Sequence, residues 1–146
     1  MLNFAVKYNV PIAIRYPRGE AYEGLEGFRE RIIYGKAEML YREQQIAIMA
    51  VGSMVKTAEQ VREILKEQGK NCTLINARFV KEFDKELIKE LSEDHKLLVT
   101  MEENVTTGGF GERVVDYVTS NHIHLAVEKI ALPDMLAMEK EVFDAH

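Results

Sequence analysis

Arg15 and Arg18 stand on either side of a Tyr-Pro pair in the stretch IRYPRG, residues 14–19, at the end of an apolar run. Two fixed cations so close together fit an anion site, because a planar guanidinium fork can hold two oxygens of a phosphate or carboxylate at once. They equally fit a plain strand end, where arginines point into water. Charge distribution bears on the choice. Residues 1–36 carry six basic side chains against four acidic ones, a local +2 in a chain of net −5, which leaves −7 for residues 37–146. The basic excess therefore gathers around the motif.

Other residue types that could do chemistry are weaker candidates. EENVTTGGFG, residues 102–111, opens a helix on glycine, and free N–H groups at a helix start can hold an anion. It lacks the spacing of a dinucleotide motif and the lysine of a phosphate loop. Glu102 and Glu103 just upstream would repel a phosphate. Gly108 and Gly109 read better as a tight turn that lets the helix pack closely, or as a contact to another domain. Neighbours on a strand point to opposite faces, so Glu102 and Glu103 are not a paired acid and base; a solvated or interface role is expected for both. His122 and His124 could share a face, but no cysteine or carboxylate completes a metal set at ligand spacing. His95 falls at a helix C-terminus, where its charge suits the helix dipole. Cys72 begins a buried strand and reads as a small apolar residue. Gly52-Ser53 reads as a strand-to-helix turn with Ser53 as a possible cap. No nucleophile–base arrangement, metal cluster or complete phosphate loop emerges, so the chain does not read as a self-sufficient enzyme.

The elements that must position these residues follow from periodicity. Leu2, Phe4, Ala5 and Tyr8 have helical spacing, and VPIAIRY (10–16) is β-rich up to Pro17. GEAYEGLEGFRER (19–31), rich in glycine and acid, reads as a linker. An extended segment broken at Gly35 comes next, then IAIMAV (46–51), an apolar run typical of a strand buried on both faces. The helix over 56–69 buries Ala58, Val61, Ile64 and Leu65 and stops at Gly69. CTLINA (72–77), a helix capped by Asp84, KLLVTME (96–102), a helix over 110–120 and LAVEKIAL (125–132) complete the alternation. Such alternation predicts right-handed βαβ units: a three-layer α/β/α domain with a mainly parallel sheet of about five strands. The short link after the first strand favours one antiparallel edge strand.

Length and composition bound the partners. At 146 residues with 47% hydrophobic and 29% charged side chains, the chain reads as one ordinary globular domain. Its acidity argues against nucleic acid, and no apolar stretch reaches bilayer length, so no membrane partner is expected. A single cysteine excludes an internal disulfide and fits a cytoplasmic setting.

Read together, PIAIRYPRG (11–19), INARFVKEFD (75–84), LLVTMEENVTTGGFGERVVDYV (97–118) and IALPD (130–134) resemble the closing part of the 1-deoxy-D-xylulose-5-phosphate synthase family, in the same order and at similar spacing. The resemblance implies a transketolase C-terminal-domain-like fold. It makes residues 1–18 the tail of a preceding pyrimidine-binding domain, 19–31 a linker and 32–146 the C-terminal domain. The family joins a two-carbon unit from pyruvate to D-glyceraldehyde 3-phosphate, using thiamine diphosphate and Mg²⁺. By the resemblance Arg18 contacts the aldehyde's phosphate and Arg15 supports it. Pro17 fixes the backbone there and Gly19 leaves room for close approach. Glu102, Glu103, Gly108 and Gly109 are implied as a possible domain interface. The cofactor and metal motifs lie upstream, so this segment alone is expected to be inactive and to bind neither. Its implied partners are the remaining domains of the synthase and, through them, a homodimer. Two other readings stay open: a non-catalytic dimerisation or structural module, and the C-terminal domain of a transketolase or of a 2-oxoacid dehydrogenase β subunit. Glu82, where the family has proline after RFVK, and the ending DMLAMEK (134–140) depart from the pattern.

Overall fold

The computed structural model describes residues 1–8, 10–16, 24–25, 27–28 and 30–133. Within them the order is α1 (Leu2–Lys7), β1 (Glu38–Tyr41), β2 (Gln45–Ala50), α2 (Met54–Glu67), β3 (Thr73–Asn76), α3 (Lys85–Asp94), β4 (His95–Val105), α4 (Phe110–Ser120) and β5 (Ala126–Leu132). The strands form one sheet in the order β1-β3-β2-β4-β5. β3, β2, β4 and β5 are parallel, and β1 is antiparallel on its edge. The edge strand is thus antiparallel as expected, but its partner is β3 rather than β2, which follows it in the chain. The return strand β3 inserts between the two.

Handedness accounts for the layers. The step from β2 through α2 to β3 runs toward the β1 edge, whereas the steps through α3 and α4 run the other way. Right-handed crossovers in opposite directions must use opposite faces. Accordingly Val55 and Ala58 of α2 pack with Ile48, Leu74 and Met101 on one face. Ile88 and Leu91 of α3 join Phe110 and Val114 of α4 with Met49, Ile75 and Leu98 on the other. Phe110, Met49, Leu74 and Ile75 have no solvent contact, and burying each such side chain contributes about 1.5–3 kcal/mol.

Local signals act where the sequence placed them. Asp84 caps α3 by accepting from the Leu87 N–H at 3.2 Å, and it also accepts from Lys36 Nζ at 3.0 Å. Gly69 ends α2 at φ 74°, a conformation costly for any residue with a Cβ. Ser53 occupies the cap position of α2, yet its side chain makes no cap hydrogen bond. The β-rich residues 10–16 belong to no strand of the sheet. A strand needs a hydrogen-bonding neighbour for its N–H and C=O groups, and none of the sheet's pairings includes these residues. Helix α1 buries none of its residues fully; Phe4 and Tyr8 dock it through ring contacts with Tyr34 and Phe79.

Candidate functional site at the carboxyl edge of the sheet

In open α/β sheets the ligand crevice lies outside the carboxyl ends of the strands, where neighbouring strands send their helices to opposite faces. Here those neighbours are β2 and β4. A cavity of about 900 Å³ opens at that place, with Gly52 and Ser53 after β2, Glu103 and Asn104 at the end of β4, and Arg15 in the segment above. Arg15 is exposed and makes no ion pair among the described residues, so the structure shows no acid of the domain partnering it. Arg18, together with Pro17 and Gly19, lies outside the described residues.

Arg78 also lines this cavity. It follows β3 with φ at 56°, a strained value for a side chain of its size. Three contacts hold it there. Its Nη2 pairs with Glu38 Oε1 at 2.5 Å, with both side chains nearly buried. The same nitrogen donates to the Glu30 carbonyl at 3.3 Å, and the Arg78 N–H donates to Asn76 Oδ1 at 3.3 Å. Asn76 Nδ2 in turn donates to Glu38 Oε2 at 3.3 Å, and the Glu30 N–H donates to Glu38 Oε1 at 3.1 Å. A single carboxylate on β1 therefore anchors an arginine, an asparagine and the chain that leads into the domain.

Glu102 and Glu103 do point to opposite sides, but the solvated placement expected for Glu102 is not what forms. Glu103 is exposed, whereas Glu102 is 6% exposed and turns beneath the start of α4. Its Oε2 accepts from the Phe110 N–H at 2.9 Å and its Oε1 from the Gly111 N–H at 2.8 Å. The anion-binding end of α4 is thus occupied by the chain's own carboxylate, which favours negative charge there through both the free N–H groups and the dipole. Gly109 is fixed by the same arrangement: a Cβ there would fall 2.6 Å from the Val105 carbonyl oxygen and 2.7 Å from Glu102 Oε1. Gly108 supplies the turn at φ 72°.

The described residues bring no three His, Cys, Asp or Glu side chains together at metal-binding distance. His122 and His124 are exposed, and Cys72 is fully buried, its thiol pKa pushed up by that burial. With Glu102 filling the α4 terminus, these residues do not fit a metal–diphosphate group. Asn76 and Arg78 fall within INARFVKEFD, one of the segments that carry the family resemblance, but the sequence gives neither a role. Glu38 was missed altogether; its signal was a carboxylate at an inward position of the otherwise apolar AEMLY.

Residues 35–145 match the family model for the transketolase C-terminal domain, and the chain belongs to that family. A 1-deoxy-D-xylulose-5-phosphate synthase of Lachnoclostridium phytofermentans is 47% identical over 133 residues, covering 87% of this chain and 21% of that protein. Another synthase of that name, from Clostridium tetani, is 39% identical over 144 residues, covering 99% of this chain and 23% of its own length. The chain thus spans between a fifth and a quarter of these relatives. A solved split-gene transketolase, in an inactive β4 tetramer, superposes with a TM-score of 0.70 at 23% identity, over 78% of this chain and 37% of that one. That likeness supports the fold: a mixed five-stranded sheet flanked by helices.

Proposed function

We propose that the chain is the C-terminal portion of a thiamine-diphosphate-dependent 1-deoxy-D-xylulose-5-phosphate synthase. The observation that carries this reading is 47% identity to a synthase across 87% of the chain. The reaction releases the pyruvate carboxyl as CO₂ and forms a carbon–carbon bond from the remaining two-carbon unit to the aldehyde carbon of D-glyceraldehyde 3-phosphate. Thiamine diphosphate supplies the electron sink for the decarboxylation. By the family resemblance, the motifs that hold it and Mg²⁺ lie upstream of this segment.

Within the whole synthase, residues 1–18 complete the preceding domain, 19–31 cross to the C-terminal domain and 32–146 form it. Arg18 grips the phosphate of the aldehyde substrate and Arg15 supports the local positive potential. Arg15's position at the cavity supports this assignment, because it brings residues 11–16, the start of the PIAIRYPRG segment, to the ligand edge of the sheet. Glu103 and the Gly108–Gly109 turn face neighbouring domains, and a homodimer of the whole synthase completes the assembly.

Replacing Arg18 tests the assignment. In the whole synthase Arg18→Ala should cost about 2–4 kcal/mol in kcat/KM for the phosphorylated aldehyde, the scale of a lost charge-assisted contact. Pyruvate decarboxylation measured alone should lose less. Equal losses in both steps would remove the phosphate role, and product formed by the 146-residue chain by itself would remove the reading of it as a portion.

A further inference from the structure

The chain turns sharply where β3 ends. The Phe79 N–H donates to the Ala77 carbonyl at 2.5 Å, which closes a three-residue turn around Arg78 at φ 56°. A γ-turn with positive φ at its centre is rare and strained, and such strain persists only where the surroundings hold it. Here it sends two consecutive side chains to two separate stretches of the chain.

Arg78 takes the stretch that leads into the domain. With Glu38 it grips the main chain of Glu30 by both its carbonyl and its N–H. Two residues earlier, Phe28 meets Tyr41 edge to face with ring centroids 5.1 Å apart. Phe79 takes the N-terminal stretch. Its ring lies 5.8 Å from that of Phe4 and 5.6 Å from that of Tyr34, and Tyr34 stacks on Tyr8 at 4.9 Å. Residues 11–16, which line the cavity, fall between these two attachments in the chain. None of the sheet's pairings includes them, so no ladder of hydrogen bonds from the sheet fixes their place.

We propose that the Arg78–Phe79 turn is the joint that sets residues 11–16, Arg15 among them, against the cavity, with Phe79 and Tyr34 as positioning residues for recognition of the aldehyde's phosphate. This rests on the function proposed above for its kinetics, and on the geometry alone for the hold on residues 11–16. Pro11 follows Tyr8 by only three residues, so a chain released at Tyr8 carries that wall of the cavity away with it. A phosphate held by guanidinium forks is sensitive to where the forks stand. Decarboxylation of pyruvate involves no such phosphate.

The test is made in the whole synthase, with D-glyceraldehyde 3-phosphate and with D-glyceraldehyde, which lacks the phosphate. Phe79→Ala should raise KM for the phosphorylated aldehyde about threefold to tenfold, the scale of losing one or two aromatic contacts. Its kcat, its KM for D-glyceraldehyde and its pyruvate decarboxylation should stay within about twofold of the parent on the same scale. Tyr34→Ala should act in the same direction, and Tyr34→Phe, which keeps the ring, should match the parent. Trypsin should cut the Arg15–Tyr16 bond several-fold faster in both alanine variants and not in Tyr34→Phe. Should Phe79→Ala lose its circular dichroism, Tyr34→Ala carries the test, since Tyr34 is already 44% exposed. Arg18→Ala is the control for the reading on which the kinetics rest. Where it selectively weakens use of the phosphorylated aldehyde, an unchanged KM in folded alanine variants, or an equal rise for both aldehydes, overturns the joint. Where it shows no such preference, the phosphate reading fails and the tryptic cut alone decides: a faster cut upholds the joint and an unchanged one overturns it.

Discussion

The two ends of the sheet treat their polar groups differently. At the amino end Thr73 Oγ1 lies 2.8 Å from His95 Nε2 and accepts from the Glu43 N–H at 2.8 Å. His95 Nδ1 faces only acceptors, the Leu91 carbonyl at 3.2 Å and Asp94 Oδ1 at 2.5 Å, and so must carry a proton. Asp94 also accepts from Arg42 at 3.1 Å. Thr73 and His95 are both buried, and each finds its partners within this cluster. The carboxyl end holds polar groups too, around a cavity that Arg78 lines. Both ends open on a cavity, about 720 Å³ beside Arg42, Glu43 and Asp94 at the amino end and about 900 Å³ at the carboxyl end. The difference is that the amino end buries its central polar pair, Thr73 and His95, whereas the carboxyl end leaves Arg15 and Glu103 exposed beside its opening.

The sharpest way to break this contrast is through Arg78. Arg78→Met leaves the Glu38 carboxylate, 3% exposed, without its counter-charge. Stranding a buried charge costs about 3–5 kcal/mol, read as a lower urea midpoint with unchanged slope. Glu38→Leu combined with Arg78→Met should recover more than half of that loss, because a buried pair contributes little net stability over apolar residues. A double variant as unstable as the single one would mean the pair is there for stability, and the contrast between the two ends would fail.

Gly109→Ala comes next. The added Cβ meets a backbone carbonyl at 2.6 Å, which cannot swing away as a flexible side chain would. The start of α4 must shift, and the Glu102 hydrogen bonds to the Phe110 and Gly111 N–H groups lengthen with it. A loss of about 2–3 kcal/mol is expected, combining overpacking with weakened buried hydrogen bonds. Gly108→Ala, with open space around its Cβ but φ at 72°, should cost about 1 kcal/mol. Equal effects at the two positions would mean that turn conformation, rather than the fit around Glu102, decides why two glycines stand there.

These cases also separate what could be read from the sequence. The Asp84 cap, the Gly69 stop and the span of α4 were legible because each depends on neighbours within a few residues. So was the parallel alternation, since every strand but the first is followed or preceded by an amphipathic helix. β1's partner was not, because its pairing with β3 is decided by where a later strand inserts. Nor was the inward turn of Glu102, since a carboxylate near glycines reads as solvent-facing until the helix start is placed above it. Thr73 and His95 are 22 residues apart, and no local pattern announces that two strand starts will meet.

The smallest effect expected probes the amino end by pH. Partial burial pushes the Asp94 carboxyl upward, but hydrogen bonds from Arg42 and His95, with their charges, outweigh it and hold the pKa below the ordinary value of 3.8. A carboxyl lowered in the folded state binds its proton more readily when unfolded, so the unfolded chain takes up more protons in acid. The stabilisation is therefore present above about pH 4 and is lost as pH falls through the folded pKa. Asp94→Asn should lower Tm at neutral pH by an amount that shrinks steadily below about pH 4, and salt should weaken the neutral-pH difference because Arg42 is 39% exposed. A Tm difference that stayed constant into acid would mean Asp94 acts through shape alone. The amino end would then be held by neutral hydrogen bonds such as that between Thr73 and His95, and charge would matter only at the carboxyl end.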